Sequence, residues 1–176
     1  MRRVIGLLVL VLSWGCPSED DDPTDVGPGT DAPRVDAGEG VDASVGRIEI
    51  GTGLSEFIDV AEGADVELVM GPQGGWHVDV ALRLYDLDPM DMQLEIEGFY
   101  VEDDESATIQ IERLLTLRRV RMEDDHYVRL GDQLVFTVAD GSQVEGRDIR
   151  IEVRAIQADG GVGRASKVIH VVDFMP

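Results

Sequence analysis

The chain has 176 residues, of which 43% are hydrophobic but only 5% aromatic, and its 36 acidic and 15 basic side chains leave a net charge of −21 at pH 7. Such an imbalance argues against nucleic acid as a partner and against direct docking on an anionic bilayer, since both depend on Lys and Arg facing phosphate. Cationic ligands, calcium and basic protein surfaces remain open, beside the simpler role of acids in keeping an exported domain in solution.

The chain opens MRRVIGLLVLVLSWGC, with Arg2 and Arg3, an apolar run from Val4 to Leu12, and small residues just before the only cysteine. A positive start, a short apolar run and a small-residue cleavage site make a secretory signal, too short and wrongly flanked for a spanning helix. Residues 1–15 are therefore expected to be a signal peptide. A lone thiol in an exported chain cannot form an internal disulfide, which leaves a free thiol, an intermolecular bridge or a modification.

Leu12, Ser13, Trp14, Gly15 and Cys16 resemble the bacterial lipobox, in which a small residue precedes a cysteine that is diacylated and becomes the mature N-terminus. The resemblance implies a lipoprotein signal peptide and a membrane anchor of palmitate-type acyl chains on Cys16. Trp14 is bulkier than the usual residue there, and ordinary signal cleavage after Gly15 is the alternative. Residues 16–46 are rich in Asp, Gly, Pro, Ala and Ser, with nine acids against Arg34 and no aromatic residue. Too little apolar surface is available to offset ordering entropy, so a disordered, self-repelling tether is expected. It would hold a folded head away from a lipid surface, each buried acyl methylene adding about 0.8 kcal/mol of anchoring.

Residues 47–176 carry 27 of the acids and 12 of the bases, a net −15, and have the size of one domain. Their apolar periodicity is that of strands. Short runs at Ile48–Ile50, Phe57–Val60 and Val66–Met70 are followed by WHVDVALRLY, which places Trp76, Val78, Val80, Leu82 and Leu84 on one face. His77, Asp79, Ala81, Arg83 and Tyr85 fall on the other. Met92, Leu94 and Ile96 alternate next, then Ile109 and Ile111. The stretch Ile111–Met122 lacks a helix cap and reads as a strand running into an irregular connection. Leu134, Phe136 and Val138 follow. Finally, Ile149, Ile151, Val153 and Ala155 alternate with Asp148, Arg150, Glu152 and Arg154. Turn signals at Gly71–Gly75, Leu87–Pro89, Ala139–Ser142 and Ala158–Gly161 separate roughly eight or nine strands, the spacing of a sandwich or barrel.

The segment GRDIRIEVRAIQADGGVGRASKVIHVV resembles the last hairpin of an immunoglobulin-like or fibronectin-type domain. The resemblance implies an all-β, Ig-like antiparallel β-sandwich, without the inter-sheet disulfide and with Trp76 available as the buried aromatic. The leader, the Asp/Gly/Ala tether and GPQGGWHVDV together are similar to envelope lipoproteins of the myxobacterial type. That resemblance implies an exported, lipid-anchored protein of the cell envelope, at the outer membrane or cell surface in preference to the inner membrane.

Candidate sites are few. His77 and Asp79 project from one strand face and could be two ligands of a metal or small molecule, though a site needs further ligands from elsewhere. The clusters Glu102–Glu105 and Glu123–His126 offer Asp103, Asp104, Asp124 and Asp125 as carboxylates for calcium. Neither matches the spaced D-x-D-x-D-G loop. If residues 107–121 were one strand at about 3.3 Å per residue, the clusters would stand roughly 50 Å apart. His170 reads as an ordinary strand histidine. There is no G-x-S-x-G elbow, H-E-x-x-H helix or phosphate-cradling glycine loop, so no enzyme is expected, although a carboxylate-pair glycosidase needs no signature. The expected function is a non-catalytic Ig-like module for recognition or structural interaction with a protein or glycan partner. The alternative is a calcium- or carbohydrate-binding module, with calcium as the one cofactor to consider.

Overall fold

The computed structural model describes residues 46–173, so Cys16, the signal peptide and all but the last residue of the expected tether lie outside the described residues. The described chain runs through β1 (Arg47–Thr52), β2 (Ile58–Asp59), β3 (Ala64–Glu67), β4 (Val69–Met70), β5 (Trp76–Tyr85) and β6 (Gln93–Tyr100). It continues through β7 (Ile111–Leu114), β8 (Arg121–Glu123), β9 (His126–Val135), β10 (Asp148–Ile156) and β11 (Val162–Val172). Two single 3-10 turns, Leu117–Arg119 and Gly141–Gln143, complete the set, and no α-helix occurs among the described residues.

One sheet has the order β2-β1-β5-β9-β8, with β4 also on β5, and the other β3-β11-β10-β6-β7. Lettered in chain order, these are the A-B-E-D and G-F-C strands of an Ig-like sandwich, with β7 beside C. All pairings are antiparallel except that of β3 with β11, which runs parallel from Ile169↔Ala64 to Val172↔Glu67. Leu68 is the crossing point between β3 and β4, so one short extended segment pairs first with one sheet and then with the other.

The alternation read from sequence is what fills the core. Val78, Val80, Leu82 and Leu84 of β5 face Leu94 and Ile96 of β6 and Ile149, Ile151, Val153 and Ala155 of β10, all essentially without solvent exposure. Truncating such a side chain removes transfer energy and leaves a cavity, about 2–5 kcal/mol for Leu→Ala. The last hairpin forms as expected, with β10 and β11 in unbroken register from Asp148↔His170 to Ile156↔Val162.

Residues 107–121 are not one strand. Ile109 donates its N–H to the Val135 carbonyl (2.8 Å) in the first sheet, Ile111–Leu114 pair with β6 in the second, and Arg121–Glu123 return to the first. On this open side, ionic groups replace the missing ladder. Asp132, 1% exposed, accepts Arg129 Nε (2.9 Å) and Arg129 Nη2 (2.5 Å) and lies 3.2 Å from Arg113 Nε of β7. Arg129 Nη1 also donates to the Arg119 carbonyl (3.1 Å), tying in the 3-10 turn. Both Arg129 and Asp132 face inward because β9 bulges against β5 between Val80↔Asp132 and Leu82↔Arg129. Gly131 supplies the left-handed φ of +70° that the bulge needs.

Removing one partner of a buried pair strands the other charge. Asp132→Ala is therefore expected to lower unfolding stability by about 3–5 kcal/mol, measured as the shift of the urea midpoint. Arg113→Ala, at a side chain 41% exposed, should cost about 1 kcal/mol or less.

Candidate functional site

The outward residues of β6, β10 and β11 form a grid fixed by the strand registers. Glu95, Arg154 and Arg164 share one row, Glu97, Glu152 and Ser166 the next, and Phe99, Arg150 and Val168 the third. Together with Gln110 the first two rows and Phe99 line a groove of about 440 Å³. Its polar groups are mutually engaged. Arg154 Nη1 donates to Glu95 Oε2 (3.1 Å), Ser106 Oγ to Glu97 Oε1 (2.7 Å), and Arg150 Nε to Glu152 Oε1 (2.8 Å). Arg150 also binds Asp104 and lies 5.3 Å from the centroid of the Phe99 ring. Arg154 Nε is buried with no hydrogen-bond partner among the described residues. Glu97 and Glu152 stand directly opposite each other, an arrangement of like charges that is unfavourable unless a cation lies between or beside them.

The sequence showed the polar face of β10 but not this grid. Only the register of three strands distant in the chain brings Glu95, Glu97, Glu152 and Arg154 together.

His77 and Asp79 do share the outer face of β5, and Gln133 of β9 joins them. The Gln133 side-chain N lies 3.1 Å from His77 Nε2, which then accepts, and Asp79 Oδ1 lies 3.7 Å from the same atom. They are not exposed as strand alternation implies. His77 is 5% exposed, with Gly71 of the turn after β4 lying close to its ring, and Ala81 on the same face is 0% exposed, paired with Gly51, against which the Phe57 ring packs. The Phe57 ring sits where a Cβ on Gly51 would be, 2.6 Å away, and Arg83 Cζ stacks 4.1 Å above that ring. Asp79 Oδ1 is buried without a hydrogen-bond partner among the described residues.

The calcium candidates are turn residues tied to the protein. Asp103 Oδ1 accepts the Glu105 N–H (3.1 Å), Asp104 binds Arg150, and Asp125 Oδ1 meets His126 Nδ1 at 3.1 Å. Asp104 (φ +63°) and Asp124 (φ +41°) occupy left-handed backbone, which aspartate tolerates better than most residues. No group of three or more His, Cys, Asp or Glu side chains is placed to hold a metal among the described residues. His170 Nδ1 pairs with Asp148 Oδ1 at 2.7 Å on the strand surface. Trp76 is half-buried at the edge of the core rather than central to it.

Three carboxyls are held below their ordinary range. The Ser142 backbone N–H and then its hydroxyl lower Asp140, His126 lowers Asp125, and its own backbone N–H followed by the Arg147 guanidinium lowers Glu102. No helix among the described residues is long and apolar enough to cross a membrane.

No protein-family model matches the chain, and no curated protein matches its sequence. Among solved structures, it is similar to the CooA pilin subunit from enterotoxigenic Escherichia coli at 10% identity and a TM-score of 0.35, over 73% of this chain and 99% of that one. That likeness is too distant to assign a function.

A group whose folded pKa is depressed stabilises above its unfolded pKa and ceases to do so as pH falls through the folded value. Asp140→Asn keeps a capping oxygen but does not titrate, so its deficit in Tm relative to wild type should be present at neutral pH and shrink as the pH falls below the ordinary aspartate value of about 4. Millimolar calcium should leave the wild-type Tm unchanged, since an ion bound only by the folded state must raise it. A rise of several degrees would instead identify an oxygen site at the acidic turns.

Proposed function

We propose that the protein is a lipid-anchored envelope protein in which acylated Cys16 and the acidic tether present the Ig-like sandwich as a non-catalytic recognition module, with the β6-β10-β11 groove as its contact face. The groove carries this reading: it concentrates three carboxylates, two guanidinium groups and Phe99 on the broad face of one sheet. Its groups are positioned for complementary charge pairing with a protein or glycan. Acids at Glu95, Glu97 and Glu152 favour a partner offering ammonium or guanidinium groups, and the −15 charge of residues 47–176 steers such a partner inward. Calcium binding is the less favoured reading, because Asp103, Asp104 and Asp125 are already bound to the Glu105 N–H, Arg150 and His126.

The anchor is tested by intact mass and membrane fractionation of the natively expressed protein. Wild type is expected to start at Cys16 and carry acyl chains in the membrane fraction, whereas Cys16→Ala should be neither processed at that site nor anchored. An unmodified Cys16 on a secreted protein would overturn the reading.

A further inference from the structure

The groove on β6, β10 and β11 changes sign from one row to the next. In the first row Arg154 and Arg164 stand directly opposite each other, with Glu95 on the far side of Arg154. In the second, Glu97 and Glu152 stand opposite each other, with Ser166 beyond Glu152. The third sets Phe99 and Val168, both half-buried, on either side of Arg150. Glu112 continues the first row on β7, beyond Glu95 and away from both guanidinium groups. Along the groove the order is therefore basic, acidic, then apolar around one arginine.

Like charges directly opposite each other in a ladder are unfavourable, and the registers create two such pairs in neighbouring rows. Internal partners answer them only in part. Arg154 donates to Glu95, and Arg150 reaches back from the third row to Glu152, but Glu97 is met by the Ser106 hydroxyl alone among the described residues. The rows lie two residues apart along each strand, about 7 Å, which is also the spacing of same-side side chains in any extended polypeptide. A nucleic acid or an anionic lipid surface presents a single sign and cannot match both rows, and a neutral glycan answers neither.

We propose that the groove receives an extended segment of a protein partner that carries an acidic, a basic and an apolar residue at alternate positions. The acid lies over Arg154 and Arg164, the base over Glu97 and Glu152, and the apolar side chain against Phe99 and Val168. The inference rests on the groove being the contact face, as proposed above, and adds the order in which the partner must carry its charges. A segment with acid and base exchanged sets its base against two guanidinium groups and its acid against two carboxylates, and that repulsion excludes it.

Anisotropy of fluorescein-labelled peptides titrated with the full chain in nonionic detergent tests this at constant composition. A peptide containing Glu-Thr-Lys-Thr-Leu is expected to bind about ten-fold or more tightly than one containing Lys-Thr-Glu-Thr-Leu, although the two share residues and net charge. The variant carrying Glu152→Arg together with Arg154→Glu keeps the protein's net charge while exchanging the sign at one position of each row. It should bring the two peptides to within about two-fold of each other, and its cooperative urea transition shows that the sandwich is intact. Glu97→Gln, a smaller change, should narrow the preference about two-fold or more. Equal affinities in the wild type, no binding of either peptide, or a preference that survives the exchange overturns the proposal. So does displacement of the labelled peptide by a neutral glucan such as maltoheptaose, which marks a glycan face instead. Phe99→Ala separates this proposal from the reading beneath it: if neither peptide is preferred and both are weakened equally, the groove stands as a contact face and only the charge order fails.

Discussion

The buried Asp132 carboxylate, held between Arg129 of its own strand and Arg113 of β7, is the constraint around which the open side of the sandwich is organised. Backbone pairing cannot close that side. The chain leaves β9 after residue 109, joins β6 for four residues, and crosses back to form β8, so the two sheets are stitched there by side chains. A charge this deep is tolerable only when both carboxylate oxygens are satisfied, and Arg129 supplies that with a two-pronged contact. Arg129 also reaches the Arg119 carbonyl, so the same guanidinium positions the turn that presents Leu117.

Periodicity in the sequence revealed the sandwich where strands are regular. Val78 to Leu84 and Ile149 to Ala155 alternate without interruption, and both lie where alternation puts them, in the core. The first half of β9 was hidden for an equally physical reason. Its bulge at Gly131 turns Arg129 and Asp132, three residues apart, to the same side, and a period of two cannot register that. The parallel pairing of β3 with β11 was likewise invisible, since a strand of four residues shows no direction in its pattern.

The sites were less legible than the fold. His77 and Asp79 share one face as alternation implies, but the burial of that face, with Phe57 against Gly51 beside Ala81 and Gly71 against the His77 ring, is a tertiary event that sequence spacing does not encode. The groove on β6, β10 and β11 depends on cross-strand neighbours up to dozens of residues apart. Its individual acids looked like any solvated strand face until the registers placed Glu97 opposite Glu152 and Arg154 beside Glu95.

The sheet margins bear on how such molecules behave when crowded. All four outermost strands are short: β2, β8, β3 and β7 span two, three, four and four residues. Where β11 outruns β3, Lys167 turns inward opposite Ile151 and donates to the Val60 carbonyl (2.5 Å), placing a cation beside the uncovered stretch. Short margins and an inward lysine are features that discourage one sheet from extending into another. Copies confined to a plane would face one another at far higher local density than in free solution, and these margins let them remain separate particles instead of fusing into fibrils.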